Sequence, residues 1–403
     1  MATFNYFAYR HQPLKTLFLL YTGVSLFVRI PFWITTNLLP SWRPRRSWTL
    51  SRTLIVNLLR VVSDTIFKTS VSIFSIDPKL LEQPLAAEAG LVWVDPTPDL
   101  ILGEIKDAAD LNGVTSTKVA GFWYGERGLD GVVGQKADPD EKVIYELHGG
   151  GFVTGNASPK GNSAYFCNQM LQFCDGYHRI FQVEYRLSQG LPLPPKNPFP
   201  AALIDAIAGY NYLVNVVGYK PCNILVMGES SGGNLALALV RYLVNYAIPS
   251  LPPPHAQFLL SPTLDWGCTH VGPGSAMERN CNSDLIYAFV GSYTTRALLG
   301  SLPETDAYAN VWISPGSGRL PSAKGRFAGL PQTLIIAGDA EMTLDGMRML
   351  RDRMIADNGN DIVTYIELPD ATHCSLSSQW HMPESIEGYS LVANWLQGTN
   401  SVM

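Results

Sequence analysis

Charged side chains are scarce in this 403-residue chain, at 16% of the sequence, whereas soluble proteins usually have about a quarter. Hydrophobic residues reach 46%, and the mean hydropathy is slightly positive at +0.06. There is no internal repeat and no low-complexity tract. The composition therefore excludes a disordered, collagen-like or coiled-coil chain and provides enough apolar material for a sizeable core.

Two further absences narrow the choice of partners. The six cysteines form no CxxC pair and no zinc-ligand spacing, which argues against a disulfide scaffold or a zinc site and favours buried thiols. Residues 1–63 contain eight basic residues and no acid, so the rest of the chain carries a net charge of −13. Such an acidic body would repel nucleic acid, while the basic, apolar leader favours an anionic membrane surface.

No uninterrupted apolar run reaches the roughly 20 residues that a membrane-spanning helix needs. Residues 16–28 and 30–42 lack charge, but Arg29 and Pro31 interrupt the two runs. A signal peptide is disfavoured because no small-residue cleavage site follows. Three interpretations of residues 1–63 stay open: an uncleaved membrane anchor, an interfacial helical hairpin, or cap helices over an active site. We expect a membrane-associated protein, with the endoplasmic reticulum as candidate compartment and a cytoplasmic protein as the alternative.

From about residue 120, short β-branched and aromatic runs alternate with helical periods, which predicts an α/β class with a mostly parallel sheet and helices on both faces. The predicted strands are 121–125, 142–148, 179–185, 223–228, 256–261, 333–338 and 362–368, and the predicted helices are 200–217, 231–247, 342–358 and 384–397. The helix at 200–217 has no clean apolar stripe, so we expect it to be buried nearly all round. Residues 64–115 form a predicted connecting or cap region before a catalytic domain at 116–403, with a cap or lid insertion at about 266–330.

The strongest local signal is Gly228-Glu229-Ser230-Ser231-Gly232, between a hydrophobic strand and a helix-forming run. The flanking glycines permit the strained strand-to-helix turn that lifts a nucleophilic serine above a sheet edge. Upstream, His148-Gly149-Gly150-Gly151-Phe152 follows another predicted strand. Its three glycines let backbone N–H groups approach a substrate carbonyl closely.

A serine nucleophile needs a base and an orienting acid, which follow it in the order serine, acid, histidine in this kind of fold. His373 lies just beyond the last predicted strand, whereas His255, His270 and His381 stand at less suitable places. For the acid, Asp339 and Glu341 both fit the turn after the strand at 333–338. Asp345 falls too far into the following helix.

These segments resemble the hormone-sensitive lipase family of α/β hydrolases, which includes bacterial carboxylesterases, arylacetamide deacetylases and fungal sterol deacetylases. The resemblance covers about residues 120–400 and rests on HGGGF at 148–152, EYRL at 184–187, PFPAALIDA at 198–206, GESSGG at 228–233 and LPQTLIIAGDAEMTLD at 330–345. It implies an α/β-hydrolase fold, no metal or cofactor, and a cap formed by the N-terminal region and the 266–330 insertion. It also implies Glu341 as the acid, a structural His148, and oxyanion donors in the N–H groups of Gly150, Gly151 and Ser231.

The sequence differs from the family pattern beside the predicted site. Glu229-Ser230-Ser231 replaces the usual Asp-Ser-Ala, and His373-Cys374-Ser375 replaces His-Gly-Phe. No catalytic group is lost, so we predict a serine hydrolase that cleaves a short acyl ester of an apolar alcohol such as a sterol, terpenoid or polyketide. The alternatives are a biosynthetic hydrolase or acyltransferase with one narrow substrate, or a non-catalytic binding protein. The oligomeric state is left open.

Overall fold

A computed structural model of the chain describes residues 5–69, 83–129, 131–161, 163–289 and 292–400. Parts of the predicted N-terminal, connecting and inserted segments, and the last residues of the predicted catalytic domain, lie outside the described residues. Within the described ranges the strands are β1 (Leu91–Val94), β2 (Val119–Gly125), β3 (Lys142–Leu147), β4 (Tyr177–Val183), β5 (Ile224–Glu229), β6 (Ala256–Leu260), β7 (Gln332–Gly338) and β8 (Val363–Leu368).

The helices of the described residues fall into three groups along the chain. The first group precedes the catalytic motifs and comprises α1 (Leu14–Thr36), α2 (Leu50–Thr69), α3 (Gln83–Glu88) and α4 (Gly103–Asn112). The second alternates with the central strands and comprises α5 (Ala164–Phe173), α6 (Ala201–Asn211) and α7 (Ser231–Tyr246). The third comprises α8 (Ala276–Arg279), α9 (Ser292–Leu299), α10 (Asp306–Ala309), α11 (Leu344–Asn358) and α12 (Glu384–Asn400).

The described strands form one sheet in the order β1-β2-β4-β3-β5-β6-β7-β8. The pairs β1–β2 and β2–β4 are antiparallel, and the remaining pairs are parallel. The predicted α/β class with a mostly parallel sheet is therefore confirmed, and each of the seven predicted strands is present within two residues of its expected bounds. Because the parallel strands point the same way, the turns after β3, β5, β7 and β8 meet at one edge of the sheet.

Two apolar layers cover the sheet. Side chains of α4, α6, α7 and α11 pack on one face, and those of α5 and α12 pack on the other. Residues 201–210 of α6 are all buried, as expected from the missing apolar stripe, and the helix continues as a π-helical turn at Tyr212–Val217. β1 and α5 were not among the predicted elements. β1 is a four-residue edge strand, too short for a clear alternation.

The described residues 5–69, which we call the N-terminal segment, form an antiparallel pair of helices, α1 and α2. α1 is one continuous helix through Pro31, so the two uncharged runs are not separate elements. The ring of Phe18 in α1 stacks on Tyr9 with centroids 4.4 Å apart, and Lys68 at the end of α2 lies over the same ring. At the other end, Arg43 donates to the carbonyl of Asn37, directly after α1.

The outer face of α1 is apolar and its inner face is mixed. Partly covered positions recur every three or four residues and include Phe18, Thr22, Ser25, Arg29 and Trp33. The exposed large apolar side chains of this helix are Leu14, Leu17, Leu19, Leu20, Tyr21, Val24, Phe27, Val28, Phe32 and Ile34. No residue of α1 is buried. Among the described residues, α1 is the one helix long and apolar enough to cross a membrane.

Candidate active site

Ser230 occupies the turn between β5 and α7. Its backbone has φ +55° and ψ −121°, a strained conformation for a residue with a side chain. The turn is tight because a Cβ on Gly228 would lie 2.2 Å from the carbonyl oxygen of Gly232, and one on Gly232 would lie 1.9 Å from that of Leu147. The two glycines are thus required for α7 to start directly beneath the serine hydroxyl, as the sequence motif predicts.

Three side chains predicted from the sequence lie in one hydrogen-bonded line. Ser230 Oγ is 2.8 Å from His373 Nε2, and His373 Nδ1 is 2.7 Å from Glu341 Oε2. Since Nδ1 faces a carboxylate, it carries the imidazole proton and leaves Nε2 free to accept the serine proton. The hydroxyl of Thr263 lies 3.3 Å from Ser230 Oγ on another side.

Glu341 and Asp339 have different partners although only Ala340 lies between them in the sequence. The Glu341 side chain is fully buried, and its Oε1 accepts hydrogen bonds from the backbone N–H of Gly338 (2.5 Å) and from Ser261 Oγ (2.7 Å). Asp339 has no hydrogen bond to His373 in the described structure, but its Oδ1 accepts from the backbone N–H of Asp370 at 2.7 Å. The geometry therefore brings Glu341, of the two acids, to the imidazole.

The electrostatic surroundings favour a cationic imidazole. Burial by itself lowers the pKa of His373, but Cys374 and the Glu341 carboxylate raise it well above the ordinary value of 6.5. Burial also raises the pKa of Cys374 to about 12, so this thiol is uncharged at neutral pH. The charge that stabilises a protonated His373 is consequently that of Glu341.

The glycine-rich loop after β3 lies against the Ser230 turn. A Cβ on Gly149 would be 3.2 Å from the Cβ of Ser230, and the backbone N–H of Phe152 donates to Ser231 Oγ at 3.3 Å. Gly150 and Gly151, between these two contacts, have positive φ angles of 119° and 64°. The N–H groups of Gly150, Gly151 and Ser231 donate to no acceptor within the described part of the chain. They are therefore available to an oxyanion beside Ser230.

The other histidines of this region have structural surroundings. His148 is buried, its ring stacks on Tyr185 with centroids 4.1 Å apart, and its Nδ1 donates to the carbonyl of Gly149. Burial lowers the pKa of His148 to about 4, so it is neutral at working pH. His381 Nε2 accepts a hydrogen bond from the backbone N–H of Thr372 at 2.9 Å and so holds the loop that carries His373.

Several residues that support the site were not predicted from the sequence. Ser261, at the end of β6, donates to Glu341 and accepts from the backbone N–H of Cys374 at 3.0 Å. From the inserted region, Asn280 Nδ2 donates to the carbonyls of Asp339 (2.9 Å) and Glu341 (2.7 Å). Ser261 could have been sought at the carboxyl end of its predicted strand, but Asn280 stands in an irregular stretch without a recognisable signal.

Asp284 is a second buried acid close to Glu341. Its Oδ2 accepts from the backbone N–H of Met342 at 2.6 Å, and its Oδ1 accepts from that of Leu285 at 2.7 Å. Burial raises the pKa of Asp284 to about 6. The inserted region therefore contributes a carboxylate that fastens the turn next to Glu341.

Glu229, which replaces the family's usual aspartate, lies under the Ser230 turn. Its Oε1 accepts from Ser163 Oγ at 2.9 Å, and its Oε2 accepts from the hydroxyl of Ser377, shortly after His373. The longer side chain thus connects the strand before Ser230 to the loop that follows the histidine.

Aromatic side chains from three parts of the chain lie beside the glycine-rich loop. A Cβ on Gly151 would be 3.0 Å from Cδ1 of Phe289, and the Phe289 ring packs edge-on against Phe67 of α2 with centroids 4.6 Å apart. Phe67 in turn belongs to a buried cluster with Tyr6, Phe7, Val153, Ala288, Tyr293 and Ala297. The N-terminal segment and the inserted region therefore both contribute to the apolar wall of the site.

Comparison with known proteins agrees with this architecture. A family model described as the alpha/beta hydrolase fold matches residues 144–377. An esterase from Acinetobacter venetianus is 29% identical over 212 residues, 53% of this chain and 61% of that one. An acetyl-hydrolase from Streptomyces hygroscopicus is 28% identical over 252 residues, 62% of this chain and 73% of that one.

The fold also resembles solved structures. An esterase/lipase from an uncultured bacterium gives a TM-score of 0.56 at 20% identity, with 87% of this chain and 99% of that chain covered. The chain spans about three fifths of the length of the Acinetobacter esterase. The family match begins within β3, so the N-terminal segment lies outside it.

Proposed function

Because the chain belongs to the α/β hydrolase family, in its hormone-sensitive lipase group, we propose that it hydrolyses carboxylic esters through Ser230, His373 and Glu341. The observation that carries this proposal is the continuous line of hydrogen bonds from Ser230 Oγ through both ring nitrogens of His373 to Glu341 Oε2. A serine hydroxyl, a base and an orienting acid at these distances are the groups that acyl transfer requires.

In the first half of the reaction, Ser230 Oγ attacks the ester carbonyl while His373 Nε2 accepts its proton. Glu341 keeps the other ring proton on Nδ1 and stabilises the imidazolium that forms. His373 then protonates the departing alcohol, and the acyl group stays on Ser230. In the second half, water attacks the acyl-enzyme with His373 again as general base, and the acid is released.

The charge that develops on the carbonyl oxygen needs donors that are already in place. The unpaired N–H groups of Gly150, Gly151 and Ser231 support this role, and the Ser231 N–H also opens α7, where the helix dipole favours negative charge. Each such donor typically stabilises the transition state by about 3–4 kcal/mol.

We assign a short acyl ester of an apolar alcohol as the substrate class. Phe289 and the methyl of Thr294 come close to Gly151, which supports a small acyl group beside the oxyanion donors. The aromatic wall around Phe67 and Tyr293 supports an apolar alcohol such as a sterol, terpenoid or polyketide. That a relative is named acetyl-hydrolase agrees with the short acyl group.

We further propose that the pair α1–α2 lies on a membrane surface with the outer face of α1 in the lipid. α1 exposes ten large apolar side chains while Thr22, Ser25 and Arg29 lie on its partly covered side, the reverse of a helix in water. Lys68 at the end of α2 lies over the ring of Phe18 near the start of α1, and Arg43 of the connecting loop donates to the carbonyl of Asn37 directly after α1. These contacts favour the interfacial hairpin over a separate spanning anchor.

The test is hydrolysis of p-nitrophenyl esters from acetate to decanoate by the purified full chain in detergent. We expect turnover with a short-chain optimum, and a loss of roughly 10⁶-fold in kcat in Ser230→Ala. Ser250→Ala, at an exposed serine after α7, is the matched control and should equal the wild type. No turnover of any ester by the folded wild type, or full turnover by Ser230→Ala, would contradict the proposal.

A further inference from the structure

The turns after β7 and β8 carry Glu341 and His373, and they contact each other directly. The backbone N–H of Ala340 donates to the carbonyl of Ala371 at 3.1 Å, and that of Asp370 donates to Asp339 Oδ1 at 2.7 Å. β8 is the last strand of the described sheet, so no further strand supports this pair of turns from outside. Their relative position sets the distance between the Glu341 carboxylate and the His373 ring.

Residues 45–48, which we call the Arg45–Trp48 segment, lie across both turns. On the β7 side, Arg45 Nη2 donates to the carbonyl of Asp339 at 2.6 Å, and its Nη1 lies 3.4 Å from Asp339 Oδ1. On the β8 side, the same Nη1 lies 4.0 Å from Asp370 Oδ1, and the hydroxyl of Ser47 donates to the Asp370 carboxylate. One guanidinium therefore faces both carboxylates.

Trp48 fixes the segment in place. Its side chain is 1% exposed, its indole N–H donates to the carbonyl of Asp370 at 2.8 Å, and it packs with Val56 and Ala340. Ala340 stands between the two acids of the β7 turn. The Trp48 indole consequently contacts the backbone of one turn and the side chain of the other.

We propose that Arg45 is a positioning residue for ester hydrolysis: by joining Asp339 and Asp370, it holds the turn that bears Glu341 against the turn that bears His373. This inference rests on the proposed function, because it assigns Arg45 an effect only through these two groups. Arg45 itself has no hydrogen bond to Ser230, His373 or the Glu341 side chain in the described structure.

A second set of contacts, from Arg45 and from Arg60 of α2, reaches the backbone on either side of Glu341 through residues of the inserted region. Arg45 Nη2 also donates to Asn280 Oδ1 at 2.9 Å, and the Asn280 amide donates to the carbonyl of Glu341 at 2.7 Å. Arg60 of α2 donates to the carbonyl of Asp284 at 2.8 Å, and the Asp284 carboxylate accepts from the N–H of Met342. The N-terminal segment thus reaches the turn on both sides of Glu341.

The experiment compares Arg45→Ala with Arg46→Ala in the purified full chain. Arg46 is the adjacent arginine, is exposed, and makes no hydrogen bond or ion pair with the described residues, so it controls for the loss of one positive charge. We expect Arg45→Ala to lower kcat about tenfold, with KM within about twofold, because a small displacement of the turns misaligns the proton relay. Arg45→Lys keeps the positive charge but not the forked guanidinium donor, so its kcat should lie between those of Arg45→Ala and Arg46→Ala. Arg46→Ala should match the wild type.

The decisive measurement repeats the substitution in Glu341→Gln. If Arg45 acts through Glu341, Arg45→Ala should lower kcat less than about twofold in that background. A tenfold loss in both backgrounds would overturn the proposal, because the effect would then be independent of Glu341. Equal kcat values for Arg45→Ala and Arg46→Ala would overturn it as well.

The proposal can fail without the proposed function failing. If Ser230→Ala abolishes turnover while Arg45→Ala keeps the full wild-type kcat, only the positioning role is wrong. If Ser230→Ala retains turnover, the proposed function itself is wrong. Should Arg45→Ala not fold, Ser47→Ala removes the hydroxyl bond to Asp370 at an exposed residue. Ser47→Ala is expected to lower kcat less than Arg45→Ala does, and to have no effect on kcat in the Glu341→Gln background. An unchanged kcat of Ser47→Ala in the otherwise wild-type protein would overturn the proposal.

Discussion

The hydrolase body and the N-terminal segment contribute to the candidate site in different ways. From the body, Ser230, Glu341 and His373 stand at the ends of β5, β7 and β8 and meet through side-chain atoms. The N-terminal segment contacts mainly the peptide carbonyls and carboxylates of the turns after β7 and β8, and Arg60 donates to the carbonyl of Asp284 in the inserted region. Each reacting position requires one particular residue type, whereas a backbone carbonyl can accept a hydrogen bond from many different donors. The residues that make the supporting contacts therefore form no recognisable sequence motif, whereas the reacting residues do.

Within the N-terminal segment, α1 and the residues after it also differ. α1 exposes apolar side chains and contacts α2, while Arg10, Arg43, Arg45, Arg52 and Arg60 donate to acceptors within the segment or on the body. Five of the eight basic residues of positions 1–63 are thus engaged inside the protein. The basic leader is less free to meet anionic lipid than its composition indicates, and the apolar face of α1 is the stronger basis for membrane attachment.

The largest expected difference in kcat is between substitutions of the two acids of the β7 turn. One of these acids, Glu341, faces His373 of the body, and the other, Asp339, faces Arg45. Glu341→Gln should lower kcat by about 10⁴-fold, because an amide cannot hold the required tautomer or stabilise the imidazolium. Asp339→Asn should lower kcat about tenfold at most, since it weakens only the contacts to Arg45 and Asp370. Steady-state kinetics on p-nitrophenyl acetate measure both. A larger loss in Asp339→Asn would make Asp339 the acid and reverse the comparison.

The pH profiles of the same two variants check the assignment independently of rate. Cys374 and Glu341 together raise the pKa of His373, and activity needs the neutral ring, so kcat/KM of the wild type should fall as the pH drops through a value above 6.5. Without the Glu341 charge the imidazolium is less stable, so Glu341→Gln should move this acid limb to lower pH. Asp339→Asn should leave it nearly in place. An acid limb that shifts only in Asp339→Asn would point to the other carboxylate.

Much of the structure of the body could be predicted because the residues that form its strands, turns and helices lie directly beside the residues that carry its chemistry in the sequence. The predicted family is confirmed by the family match, and the strand-turn-helix pattern around Ser230 corresponds to a backbone that needs glycine at 228 and 232. Chain position also led to His373. Strand position alone did not separate Asp339 from Glu341, because the choice depends on how the turn directs each side chain.

The N-terminal contacts could not be predicted for a physical reason. In sequence, Arg45 and Arg46 are equivalent neighbours, yet one is partly buried against two carboxylates and the other is exposed. That difference is set by the packing of Trp48 against Ala340, some 290 residues away along the chain. Similarly, Pro31 indicated an interruption, but α1 continues through it. The predicted roles of the N-terminal and inserted regions as a cap stay predictions.

A second prediction is that membrane binding can be weakened without a change in catalysis. The double substitution Val24→Lys and Phe27→Lys places two charges on the outer face of α1, where these side chains are 66% and 82% exposed. Binding to lipid vesicles should fall by about 100-fold or more, since each lost apolar contact is worth about 1.5–3 kcal/mol. Vesicle co-flotation measures this, and kcat on soluble p-nitrophenyl acetate should not change.

The control for that variant is Leu129→Lys, which alters a fully exposed apolar residue of the body. It should leave vesicle binding unchanged. If it lowers binding as much as the α1 variant, the membrane-facing surface lies on the body and not on the N-terminal segment.

The smallest expected effect is on the free energy of unfolding, and it tests whether the N-terminal segment unfolds together with the body. Trp48→Phe removes the indole hydrogen bond to Asp370 and leaves a partly buried carbonyl unpaired, which should lower the free energy of unfolding by about 1–2 kcal/mol. Trp42→Phe is the matched control, because Trp42 is 59% exposed and lies only six residues away. Urea unfolding followed at a body probe should show the loss for Trp48→Phe alone, in a single transition. If the body transition is unaffected, the segment is a separate cooperative unit, and a support that opens independently could not keep the two turns of the site together.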